Sequence, residues 1–304
     1  MLKKAGFAIT RICQHISRSR SQYYRQIAQK PMDVVAVKLK AALRQIHTEM
    51  DATYGSRRMC AELNAQGFTV GRYKVRSLMQ ALSLKAKRPR QHHYPIAGKA
   101  SVIAPNSLNR QFNPAQANTH WTGDITYIRT SQGWLYLAIV LDLYSRRVVG
   151  WAFSRDPNSE LSTCALEIAV QHRRPAQPLL FHSDQGVQYS SGAFRSALDK
   201  HPITASMSRR GNCHELAFSR HLRKAQSSHN AVTERFFRSL KSERVNDRQY
   251  KTRDEAMIDI ADYIEPAYNQ LRRHSTLGNI SPVEYELKYQ QKQQQNLLTC
   301  VADC

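Results

Sequence analysis

Trp121-Thr122-Gly123-Asp124-Ile125-Thr126-Tyr127-Ile128-Arg129 is the stretch that decides the fold. Its β-forming side chains alternate with the two-residue period of a strand. After Gly133 comes a longer run at residues 134–143, rich in Leu, Ile, Val and Tyr, and after a turn at 142–146 a third at 147–154. Three runs in succession predict an antiparallel meander. Further on, 161–173 has helical spacing, 178–182 reads as a short fourth strand, 190–200 as a helix and 203–207 as a fifth strand. The order βββαβαβ, followed by helices, predicts an α/β domain with one mixed five-stranded sheet and flanking helices.

Upstream of the sheet the pattern is helical. Residues 1–33 form a short basic segment with Ile9, Ile12 and Ile16 at helical spacing, and Val37, Leu39, Leu43 and Ile46 mark one amphipathic helix. Two shorter helices follow, separated by Gly67, and the unit at 34–86 reads as a small all-α helix-turn-helix domain with Arg57, Arg58, Arg72, Lys74 and Arg76 placed to meet phosphates. A generic helical hairpin with a solvated basic face fits the same pattern. Periodicity disappears over 87–118, where Pro89, Pro95, Pro105 and Pro114 stand among Lys, Arg and Gln, as in a basic linker. Residues 119–289 make the catalytic core on this reading, with helices predicted at 230–245 and 253–271, and 290–304 a Gln-rich tail expected to be frayed.

Bulk composition narrows the function. The 304 residues carry 45 Lys and Arg against 23 Asp and Glu, a formal charge of +22. Such a surplus repels itself in the folded state, so it points to a polyanionic partner, nucleic acid before an anionic membrane or an acidic protein. No stretch reaches the roughly 18–20 apolar residues of a membrane span, and Met1 to Gly6 lead into no signal-peptide core, so the expected location is the cytoplasm. The six cysteines form no CxxC pair, which argues for reduced thiols and against a disulfide framework or a zinc site.

Three acids stand out. Asp124 interrupts a run of β-formers, Asp184 follows the strand ending at Ser183, and Glu234 falls in the first turn of a predicted helix. Carboxylates from three elements around one sheet suit a pair of Mg²⁺ ions, for which Mn²⁺ can substitute, because hard cations take oxygen ligands and such pairs serve phosphodiester chemistry. Each has a bland reading as an edge-strand, turn or helix-dipole residue. Asp142, Asp156 and Glu167 meet similar local descriptions, so periodicity alone does not select the set.

A resemblance does. Tyr54-Gly55-Ser56-Arg57-Arg58, residues 121–128, Leu141-Asp142-Leu143-Tyr144-Ser145-Arg146-Arg147, His182-Ser183-Asp184-Gln185-Gly186, Asn230-Ala231-Val232-Thr233-Glu234-Arg235-Phe236-Phe237 and Tyr268-Asn269-Gln270-Leu271-Arg272-Arg273-His274 closely resemble, in the same order, the second-frame (OrfB) product of the IS-three family of bacterial insertion-sequence transposases. The resemblance covers about residues 35–287. It implies an RNase H-like, retroviral-integrase-type core with a DDE triad on Asp124, Asp184 and Glu234, preceded by a helix-turn-helix. It also implies cleavage of double-stranded DNA at element ends, 3′-hydroxyl strand transfer, action as a homo-oligomer, and possible fusion to the first-frame (OrfA) product.

One departure from the family matters. Forty-nine residues lie between Asp184 and Glu234, 14 more than the family's 35, and the excess maps to 214–229. A surface loop of that length costs little closure entropy, leaving Glu234 able to reach the metals. An insertion that displaces the helix breaks the triad, and Glu215 is then a weaker substitute. Arg272, Arg273 and His274 follow a helix and are expected to touch DNA phosphates. The competing readings are a catalytically impaired protein that binds element ends as a repressor, and a general RNase H-type nuclease.

Overall fold

The computed structural model describes residues 8–15, 17, 19–27, 33–87, 104–108, 111–208 and 231–302. The expectations for the insertion at 214–229, for Glu215 and for most of the linker lie outside these residues. Among the described residues five strands form one sheet: β1 (His120–Thr130), β2 (Gly133–Asp142), β3 (Val148–Ser154), β4 (Leu179–Ser183) and β5 (Ile203–Met207), in the order β3-β2-β1-β4-β5. The first three pair antiparallel and β4 and β5 pair parallel to β1, which makes the mixed, RNase H-like sheet expected from the sequence.

Alternation on β2 explains the layers. Leu135, Leu137, Ile139 and Leu141 point to one face and pack against α9 (Ala231–Leu240) and α10 (Arg253–Asp262) through Phe236, Phe237, Leu240 and Ile260. Ala138 and Val140 point to the other face, under α6 (Ser159–Arg173) and α8 (Gly192–Asp199), with Leu166, Phe194 and Leu198. A strand buried on both faces needs apolar residues at successive positions. The short α7 (Val187–Ser190) links β4 to α8.

A separate helical core lies upstream. After α1 (Ile9–His15) and α2 (Arg20–Ile27), helices α3 (Val34–Glu49), α4 (Ser56–Ala65) and α5 (Arg72–Ala81) enclose Leu43, Ile46, Tyr54, Met59, Leu63 and Val75. Asp33 caps α3 by accepting from the Ala36 amide, and Gly67 takes a positive φ of 89° in the α4–α5 turn. Helices α4 and α5 thus stand where the helix-turn-helix reading put them.

Two expectations are corrected. The predicted helices at 230–245 and 253–271 each change partway into a π-helical stretch, Lys241–Val245 after α9 and Tyr263–Leu271 after α10. The second contains Pro266, whose missing amide cannot sustain the regular ladder. The Gln-rich tail, expected to fray, is helical to Ala302 within α11 (Pro282–Ala302), because Gln, Lys and Leu lose little freedom in a helix.

Gly150 sets how closely α6 approaches β3: a Cβ there would lie 2.4 Å from the Ala165 carbonyl oxygen and 2.7 Å from the Ala169 nitrogen. Both obstacles are backbone, so the helix itself would have to move. Gly150→Val should cost about 1–3 kcal/mol in a urea titration, the range for overpacking; an unchanged midpoint would contradict this packing.

Candidate active site

The sheet register brings the two aspartates together. His120, Trp121 and Thr122 of β1 pair in parallel with Leu180, Phe181 and His182 of β4, a constant offset of 60 residues. Asp124 lies two residues beyond the last of these pairs on β1, and Asp184 is the residue that follows β4. The ends of two strands about 4.8 Å apart bring the aspartates close enough for the charge of Asp184 to act on Asp124. Asp124 is half-buried, with Oδ1 accepting from the Ile125 amide at 2.8 Å. Asp184 Oδ1 accepts from the Gly186 amide at 2.9 Å in a tight turn.

Helix α9 adds the third acid. It packs across β1 through its buried Thr233, Phe236, Phe237 and Leu240, leaving Glu234 exposed in its first turn. Burial pushes Asp124 well above the usual carboxylate range, and the negative charges of Asp184 and Glu234 push it further, against the Ile125 amide and the Lys241 ammonium. Asp184 is raised by burial, opposed by the Gly186 amide, and Glu234 is raised by burial, opposed by Arg238. The three acids therefore share one electrostatic neighbourhood with an excess of negative charge. Among the described residues no three Asp, Glu, His or Cys side chains are drawn in around a single point.

The surroundings fit a hard cation. Tyr189 lies against both aspartates, fully buried, and its hydroxyl has no hydrogen-bond partner among the described residues. Burial first, then the charges of Asp124 and Asp184, hold that phenol well above its ordinary value, so it remains a donor. Gly123 makes room for this packing, since a Cβ there would stand 2.5 Å from Phe181 Cζ and 3.3 Å from the Tyr189 hydroxyl. Oxygen donors with no His or Cys among them are the chemistry Mg²⁺ and Mn²⁺ prefer.

Lys241 was not anticipated. It is buried, its Nζ lies 4.7 Å from the Tyr127 ring centroid, and burial lowers its pKa against the opposing pull of Asp124. The signal was present: Glu234, Arg238 and Lys241 recur at i, i+4 and i+7, one stripe of a helix. Of the competing acids, Asp142 is fully buried on Arg173 and the amides of Asn118 and Tyr144, an internal ion pair, while Asp156 and Glu167 are exposed to solvent.

The basic residues divide into two groups. Arg57, Arg72, Lys74 and Arg76 are exposed on α4 and α5. Arg58, Arg272, Arg273 and His274 instead gather at the seam between the helical unit and the core. Arg272 is bound through two nitrogens to Glu243 (2.8 and 2.7 Å) and to Ser239, Arg58 reaches the same glutamate at 3.3 Å, and Arg273 bonds Glu62. Tyr54 ties the seam further, donating to the Leu271 carbonyl and accepting from the Arg273 amide. Burial raises Glu243, but the hydrogen bonds and charge of Arg272 outweigh it and leave the carboxyl below its ordinary range, as a paired carboxylate should be.

Family models match both parts of this architecture. Two families described as Integrase core domain match residues 114–213 and 234–289, and one described as HTH-like domain matches 36–92. The interval between the two core matches, 214–233, contains the 214–229 segment. Among solved structures, the catalytic core domain of HTLV-2 integrase in complex with magnesium is 17% identical, with a TM-score of 0.40, over 57% of this chain and 98% of that one. The insertion element IS600 31 kDa protein of Shigella sonnei is 36% identical across 92% of this chain and 99% of its own length. The transposase InsF for insertion sequence IS3A of Escherichia coli is 32% identical across 94% and 96% respectively. Identity of this degree, sustained over almost the full length of both partners, means that the chain belongs to the IS3 family of insertion-sequence transposases and carries their integrase core.

Proposed function

We propose that Asp124, Asp184 and Glu234 are the acidic triad of a transposase that cuts double-stranded DNA at the ends of its element and joins the freed 3′-hydroxyl to target DNA. The observation that carries this reading is the charge imbalance at Asp124, which is raised by burial and by the two other acids together. Two Mg²⁺ ions, or Mn²⁺ in their place, would be held by these carboxylates, Asp124 contributing to both and Asp184 and Glu234 to one each; bound there, they supply Lewis acidity and offset charge on the attacking and leaving oxygens. In the cut, a water oxygen bonds to phosphorus as the 3′-oxygen departs with a proton. In the joining step the oxygen of that hydroxyl bonds to a second phosphorus as another 3′-oxygen departs, and the proton the hydroxyl gives up ends on the departing oxygen.

The chain's own residues prepare the site. Asp124 feels the charges of both other acids, Lys241 opposes them there, and Tyr189 offers a hydroxyl hydrogen with no protein acceptor among the described residues. Arg57, Arg72, Lys74 and Arg76 are the cations we assign to DNA phosphates, because they are exposed and on the helical unit. Arg58, Arg272 and Arg273 act on DNA indirectly, by fixing that unit to the core through Glu243 and Glu62. The division of the chain at 34–86, 87–118 and 119–289, assembly with further copies, possible partnership with a first-frame product and residence in the cytoplasm on the nucleoid belong to the same proposal. An end-binding protein without activity is the alternative, favoured by the acids not being drawn in around one point.

Asp124→Asn should bring Mg²⁺-dependent nicking of an element-end duplex to background while end binding, read by gel shift, stays within about threefold of wild type; a variant that still nicks would remove the mechanism. The same substitution deletes a repelling charge, so without metal its Tm should rise by about 2–4 °C for each kcal/mol relieved. The sign with pH follows. Raised carboxyls bind protons more tightly folded than unfolded, so lowering pH from neutral should stabilise the metal-free protein relative to Asp124→Asn and should weaken Mg²⁺-dependent cleavage before ordinary carboxylates titrate. Deleting residues 215–228 restores the family's spacing and should leave cleavage within about threefold, since loop length enters closure entropy only logarithmically; loss of all cleavage would show that the segment takes part.

A further inference from the structure

Helix α9 borders a second site. Glu234, Arg238 and Lys241 follow one stripe, and Arg235 and Ser239, each about 100° further round, line a cavity of about 370 Å³ between the helical unit and the core. Four arginines border it: Arg58 from α4, Arg146 from the β2–β3 turn, Arg235 from α9, and Arg272. Among the described residues no aspartate or glutamate lines it.

The charges are unequally matched. Arg58 and Arg272 share Glu243. Arg146 pairs with no carboxylate among the described residues and feels only the more distant charge of Asp142: Nη2 donates to the neutral Asn113 side chain, and Nη1 has no hydrogen-bond partner among those residues although Arg146 is only 8% exposed. Burying a guanidinium without a directly bonded carboxylate is unfavourable. Arg146 also holds a left-handed backbone, φ 62°, a conformation that is strained for a non-glycine residue. Two unfavourable terms at one residue that faces a cavity mark a site whose compensation comes from a ligand.

His274 completes the lining without adding charge. Its Nε2 lies 3.3 Å from Arg272 Nη1, and because a guanidinium only donates, that nitrogen accepts and the ring proton sits on Nδ1. Burial, then the charges of Arg272, Arg58, Arg146 and Arg235, push the imidazole down to about 2. The ring thus stays neutral and offers one further donor.

We infer that this cavity is a phosphate-binding site, in which Arg146 and Arg235 hold the anion by charge-assisted hydrogen bonds. Planar guanidinium forks match phosphate oxygens in pairs, and a cavity with four of them and no acid selects against neutral and cationic ligands. The same helix carries Glu234, which favours the backbone phosphate of a DNA strand as the source over free phosphate; that choice of source alone rests on the function proposed above.

Calorimetric titration of the full chain with inorganic phosphate at constant ionic strength, with chloride as the control, tests the site. A fluorescent single-stranded oligonucleotide, with phosphate as competitor, tests the source. Arg235→Gln, at an exposed position that folding tolerates, and Arg146→Gln should each weaken phosphate binding at least tenfold, while Lys200→Gln, exposed and distant in sequence from the cavity lining, should change it less than twofold. Asp124→Asn should bind phosphate as wild type does, so a failure of the metal chemistry leaves this result standing. An oligonucleotide displaced by phosphate and weakened by Arg235→Gln supports a DNA phosphate; phosphate binding lost in the variants without competition supports the site with free phosphate as occupant. Binding of phosphate and oligonucleotide unaltered in both arginine variants, or absent in the wild type, would overturn the proposal.

Discussion

Repulsion among carboxylates that the fold itself forces together is the constraint on which the rest of the molecule turns. The pairing of β1 with β4 fixes Asp124 beside Asp184, and the packing of α9 across β1 adds the charge of Glu234. Among the described residues no cation neutralises all three: Lys241 opposes the effect at Asp124, but burial and the two acids prevail. A folded chain keeps such an arrangement at a cost to its own stability, a cost that divalent cations would offset if they bound there as proposed. Much of the surrounding packing serves to hold the acids in place, from Gly123 under Phe181 and Tyr189 to the double layer of apolar side chains on β2.

Positive charge is handled in the opposite way. The core and the helical unit meet at a seam where Glu243 and Glu62 take up Arg58, Arg272 and Arg273, and Tyr54 bridges the two bodies through backbone groups. These half-buried pairs have little solvent screening, so they orient the helical unit relative to the acids more firmly than exposed pairs would. The remaining cations of α4 and α5 stay free in solvent, where their field can steer a polyanion.

The sheet was legible because its period is local. Alternation at 121–129 and the dense apolar run at 134–143 need no knowledge of partners, and both strands formed within a residue or two of the expected bounds. Asp124 and Asp142 could not be separated that way: they differ in what they meet across the fold, Asp142 an Arg173 guanidinium and two amides, Asp124 two other acids. The resemblance supplied the choice that periodicity lacked. Arg272 and Arg273 followed a helix and read as free cations, because their partners Glu243 and Glu62 lie 29 and 211 residues away. Lys241 was readable in principle, two turns beyond Glu234, had that stripe of α9 been followed past its apolar face.

The central claim is that Asp124, Asp184 and Glu234 jointly hold divalent ions. Its most direct test is anomalous diffraction from crystals grown with Mn²⁺ and a short duplex carrying an element end. The account predicts two manganese peaks about 3.5–4 Å apart, within bonding distance of carboxylate oxygens from all three residues. Peaks that engage only the aspartates, with Glu234 turned away and no other acid in its place, or no peak at the site at all, would contradict it.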